Sequence, residues 1–158
     1  MHACICARIS GAEKMPWLFN LATLWQADNP EVPMTNEAQV FQPAQHAVYR
    51  ADKMGKATLF QSPRILVGLN AFEPGQSHAV HAHAGMDKVY HVLEGSGLLL
   101  LEDREVPLEA GMLATAPADV PHGLRNTGDG RLLVLAILAP APGAPSIGTD
   151  SAPSRTPR

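Results

Sequence analysis

Between residues 56 and 138 the chain is a succession of short apolar or alternating runs, each closed by a turn signal. The runs are 56–61, 64–72, 78–83, 87–94, 98–102, 105–108, 112–116, 122–126 and 131–138, with a weaker one at 47–50. Between them stand Pro74-Gly75, Gly95-Ser96-Gly97, Asp103-Arg104, Ala110-Gly111 and Gly128-Asp129-Gly130. Segments of this length, rich in Val and Leu and bounded by Gly, Pro and Asp, read as strands rather than helices. D-K-V-Y-H-V-L-E (87–94) also alternates, as a strand with two different faces must. Helical periodicity is absent from the whole region. The expected fold is therefore all-β, an antiparallel sandwich or barrel.

The flanks differ. Residues 1–35 read as an irregular arm. Leu18, Leu21, Leu24 and Trp25 recur at helical spacing until Pro30 and Pro33 break the pattern. Met34 offers a plausible start, so part of 1–33 is either an upstream extension of the reading frame or an arm that packs on a partner. Residues 141–158 are rich in Pro, Ala, Ser, Gly and Thr, and the expectation there is disorder. That leaves one domain, 36–140. The net charge of −3 and the lack of a Lys/Arg cluster argue against nucleic acid. No apolar run approaches the roughly 18 residues of a membrane span. No signal-peptide pattern is present, and Cys4 and Cys6 stand too close for a structural disulfide. The expected location is cytoplasmic.

The chemistry concentrates in histidines. His81 and His83 are separated by one residue, and alternate residues on a strand share a face. Two imidazoles can therefore aim at one point, with His122 as a third. In isolation such a pair is usually solvated surface, but here Gly-rich frames surround it. Imidazole suits Fe, Mn, Ni, Zn and Cu.

Gly75-x5-His81-x-His83-x4-Lys88-x6-Gly95 resembles the first motif of the cupin superfamily, and Gly111-x5-Pro117-x-Asp119-x2-His122-x3-Asn126 resembles the second. D-K-V-Y-H-V-L-E-G-S-G is similar to the corresponding run of small single-domain cupins. The resemblance covers about residues 40–140. It implies a double-stranded β-helix (jelly-roll) barrel, a divalent transition metal held by His81, His83 and His122, and a homodimer joined near residues 38–50. Two positions depart from the pattern. Asp119 stands where the family has Gly, in a loop that must still turn. Lys88 stands where the family has its Glu ligand, and a protonated lysine cannot coordinate a cation.

Three arrangements follow for Lys88. A one-residue slip would turn Asp87 and His91 inward, and Asp87 would become the fourth metal ligand. If the family register holds, Lys88 points inward and binds an anionic substrate beside a three-His ion, with Tyr90 lining the pocket. Alternatively, Lys88 replaces the ion's charge and the site is metal-free. His78, at a turn, is expected to face solvent, as are Lys56 and Arg64, and Asn126 to order its own loop. The functional expectation is a small metal-binding cupin acting on a small polar or acidic metabolite by oxygenation or isomerisation. The competing one is a non-catalytic module that binds or senses a small molecule.

Overall fold

The computed structural model describes residues 37–143. The helical turns expected near Trp17–Trp25, the two cysteines and most of the expected tail lie outside them. Among the described residues nine strands follow a short 3₁₀ turn at Pro43–His46. They are β1 Gly55–Ser62, β2 Ile65–Phe72, β3 Ser77–His81, β4 Asp87–Glu94, β5 Ser96–Leu101, β6 Glu105–Glu109, β7 Leu113–Ala116, β8 His122–Arg125 and β9 Leu132–Ala139. All pairings are antiparallel. One sheet has the order β1-β2-β9-β4-β7 and the other β3-β8-β5-β6. This is a double-stranded β-helix, as expected.

The two sheets enclose the main core. Phe72, Tyr90, Val92, Val134 and Ala136 from the larger sheet meet Leu99, Leu108 and Leu124 from the smaller. The larger sheet is also covered outside, where Leu59, Leu69, Ala71 and Leu133 pack with Phe41, Ala47 and Tyr49. Burial on both faces explains why β2 (ILVGLNAF) and β9 (LLVLAILA) are continuous apolar runs, whereas β4, with a more open outer face, alternates. The segment 47–50 is not a strand. It lies across the outer face of the sheet, with Arg131 stacked 4.2 Å from the Tyr49 ring centroid. Among the described residues no helix is long and apolar enough to cross a membrane.

A single residue, Gly95, separates β4 from β5 and carries the chain from one sheet to the other. Its φ is +82°, and a Cβ there would lie 2.1 Å from the Arg131 carbonyl oxygen, so only glycine fits. That corner fixes the phase of β4. The pairs Lys88↔Ala116 and Lys88↔Leu138 through His91↔Leu113 and His91↔Leu135 run without interruption on both sides. The one irregularity comes later, between Val92 and Glu94. Lys88, Tyr90 and Val92 therefore face the core, and Asp87, Val89, His91 and Leu93 face outward.

Candidate metal centre

His81 closes β3, His122 opens β8, and the two are paired across the ladder, with ring centroids 4.9 Å apart. His83 lies just past β3. Its carbonyl accepts the Asp119 N–H at 3.1 Å and the Met86 N–H at 3.4 Å, which holds its loop against the loop before His122. Asp119 makes that approach with φ +65°, a left-handed conformation that Asp tolerates better than most residues. The Asp87 carboxylate accepts the Ala118 N–H at 2.9 Å and so latches the same loop to the start of β4. Asn126 orders its turn by donating to the Phe72 and Gly130 carbonyls and accepting from the Gly128 N–H.

The result is three imidazoles with one ligand atom each, all within 4.8 Å of one another. His81 Nδ1 donates to the Ala79 carbonyl and His122 Nδ1 to the Val120 carbonyl, both at 2.8 Å. These bonds fix the tautomer and leave each Nε2 lone pair facing the cluster, the usual arrangement of metal-binding histidines. His122 Nε2 is buried without a hydrogen-bond partner. His81 Nε2 and His83 Nε2 are 3.1 Å apart. Two nitrogens each about 2.1 Å from one ion, at a right angle, lie about 3 Å apart. The His81–His83 pair therefore has the spacing of two ligands on one transition metal, and His122 offers a third imidazole.

Burial keeps these rings neutral. It is the largest cause of the low pKa values of His81, pushed down to about 4, and His83, pushed down to about 3, with the Lys88 charge adding to both. Burial likewise lowers His122. No proton then competes for the ligand atoms near neutral pH.

The fourth side is different. Lys88 is 1% exposed, with its amine 3.3 Å from His83 Nε2 and 4.9 Å from the Tyr90 ring centroid. Burial, then the charge of Lys56, pushes its pKa down to about 7. Of the three arrangements open from the sequence, the slipped register is not adopted. Asp87 and His91 lie on the far side of β4, and Asp87 holds a loop rather than joining the histidines. The physical reason is the pairing of β4 on both edges, which cannot shift without breaking two ladders.

Two expectations for exposed residues are corrected. His78 is directed inward, its ring centroid 4.3 Å from that of His81 and its Nδ1 buried without a partner. A bulge between His78 and His81 brings two residues of opposite parity to one face. Lys56 is half-buried opposite Asn70, a core residue. Asn70 was legible as the polar residue in an apolar run, whereas the β3 bulge carried no sequence signal.

Residues 68–138 match the family model of the Cupin domain. The structure of TT1209 from Thermus thermophilus superposes with a TM-score of 0.63 and is 42% identical, over 65% of this chain and 98% of that one. The chain belongs to the cupin superfamily. A cupin superfamily protein from Desulfitobacterium hafniense is 25% identical, with a TM-score of 0.58 over 70% of this chain and all of that one. Among curated relatives, the oxalate-binding protein of Thermotoga maritima is 28% identical over 91 residues, 58% of this chain and 74% of that protein. Across the curated relatives the matches span from 43% to 74% of their own lengths.

Proposed function

We propose that this cupin holds a divalent transition metal (Fe, Mn, Ni, Zn or Cu) with His81, His83 and His122, and acts on a small polar or acidic metabolite by oxygenation or isomerisation. The observation that carries this is the buried, unpartnered Nε2 of His122, directed at two further imidazoles whose neutral form is fixed by burial. A metal there would supply Lewis acidity and an open coordination position. Lys88 adds positive charge on the side where the superfamily pattern has a carboxylate, so the ligand is an anion. Tyr90, with its ring edge-on to His122 at 5.8 Å, walls the site behind. The 28% identity to an oxalate-binding protein supports the acidic class.

A specific observation keeps a second reading open. With Lys88 in place of the carboxylate, the site has one fewer ligand, which favours a non-catalytic module that binds its anion through Lys88, with or without metal.

The test is metal content. Protein purified without added metal is expected to carry one transition metal per chain by elemental analysis, and His81→Ala to carry none. If neither carries stoichiometric metal, the metal reading fails. A metal-loaded wild type that binds small acids but turns none over assigns the second reading.

The pairing of two copies is also proposed, through the outer face near residues 38–50. Val40 is 98% exposed there, and Phe60 on β1 is exposed as well. Light scattering that finds a monomer at all concentrations would end that proposal.

A further inference from the structure

Among the described residues, six buried side-chain nitrogen or oxygen atoms lack a hydrogen-bond partner. Apart from Arg125 Nε, they belong to Asn70, His78, Tyr90 and His122. All four face the barrel interior. Asn70 shares the inner face of β2 with Phe72, His78 is paired with the core residue Leu124, and Tyr90 lies in the core between Lys88 and Val92. A buried polar group without a partner is costly, and native interiors carry few. The metal accounts for His122 Nε2. It does not account for the Tyr90 hydroxyl or for both amide atoms of Asn70, which are 0% and 1% exposed as residues.

The register places these orphans in order. Asn70 lies in the row Asn70↔Val134↔Val92, two inward-facing positions along the sheet from the row of Lys88, and Tyr90 stands between. Four residues of strand span about 13 Å. Small residues flank Tyr90 on both sides, Ala136 and Ala114, with Gly68 beyond Ala136, while Lys88 stands between Ala116 and Leu138. Lys56 stands opposite Asn70 across the β1–β2 ladder.

We infer that the site is two-ended: the metal and Lys88 take the carboxylate of a small acid, while the Asn70 amide and the Tyr90 hydroxyl take a hydroxyl group at the acid's far end. The amide offers one donor face and one acceptor face, and the phenol can do either, which suits a hydroxyl better than a second anion. This rests on the metal-and-anion reading above and adds the far end of the ligand to it.

Straight-chain ω-hydroxy acids of three to six carbons and their parent acids, titrated calorimetrically into metal-loaded protein, test the inference. At one chain length the hydroxy acid is expected to bind at least about tenfold tighter than its parent, since a site built for a hydroxyl leaves its own groups unpaired without one. Asn70→Leu and Tyr90→Phe should each erase most of that preference while still binding the parent acid. The phenylalanine variant loses one oxygen and keeps the packing. If parent acids bind and the hydroxyl gains nothing at any length, an ordered water fills the far end and the inference falls alone. A preference that survives both substitutions also overturns it. If metal is bound but no acid binds at all, the anionic ligand class proposed above falls with it.

Discussion

Lys88→Met is expected to make the metal-free protein more stable. The wild-type amine is 1% exposed and has no carboxylate beside it, and its pKa falls from 10.5 to about 7. In the unfolded chain the amine remains protonated up to about pH 10.5. At pH 7, folding must therefore either bury the charge or release the proton. The fall from 10.5 to about 7 corresponds to about 5 kcal/mol, of which about 4 kcal/mol acts at pH 7. The sign follows from the depressed folded value. The wild type is free of this cost above pH 10.5 and loses stability as pH falls towards 7, below which the cost is constant. Methionine keeps the flexible unbranched stem of lysine as far as the ε position and drops the charged amine. The variant should thus be about 4 kcal/mol more stable at pH 7, an increase in Tm of upwards of about 15 °C, and the gap should shrink to about 1 kcal/mol by pH 10. Urea melts of both proteins in chelator at pH 7 and pH 10 measure this directly. A variant no more stable at pH 7, or a gap that does not close by pH 10, would refute the reasoning and remove the argument that this cation is retained for an anionic ligand.

Lys88→Glu replaces a repelling charge with a potential ligand and should tighten metal binding by more than about tenfold in a competition titration; no gain would mean that the side chain no longer points at the histidines. Asp87→Asn keeps an oxygen for the Ala118 N–H, so metal affinity should change by less than about threefold, whereas Asp87→Ala should weaken it by about tenfold or more through the His122 loop. Equal losses in both would make Asp87 a ligand after all. Gly95→Ala should cost about 2–4 kcal/mol in urea melts, because the new Cβ meets the Arg131 carbonyl at positive φ. In metal-free protein, stability should decline as pH falls from 6.5 towards 4 and 3, since His81 and His83 are held neutral when folded and protonate more readily when unfolded. His81→Asn/His83→Asn should lessen that decline in the same melts and leave the part due to His78 and His122, which burial also holds low.

The location of the site was legible because two of its three histidines stand one residue apart and all three lie inside glycine frames that survive as real corners. Gly95 is the clearest, since its positive φ and its contact with Arg131 admit no other residue. The orientation of Lys88 was not legible. Alternation says only that Asp87 and Lys88 face opposite ways, and a one-residue shift exchanges them. The unbroken pairing of β4 with β7 and β9 chose between them. His78 escaped the sequence for a related reason: parity sets it against His81, and the bulge that overrides parity depends on how β3 meets β8.

By itself, then, the sequence determined an all-β chain, the succession of its strands, and three histidines in the cupin pattern, because turns and alternation are local and their residues are few. The tertiary structure decided everything that depends on which face meets which. It turned the Lys88 cation inward, made Asp87 a latch, and left Asn70 and Tyr90 with unpaired polar atoms in the core. Strand pairing joins residues far apart in the chain, and a shift of one place reverses every side chain, so local pattern cannot fix what the barrel encloses.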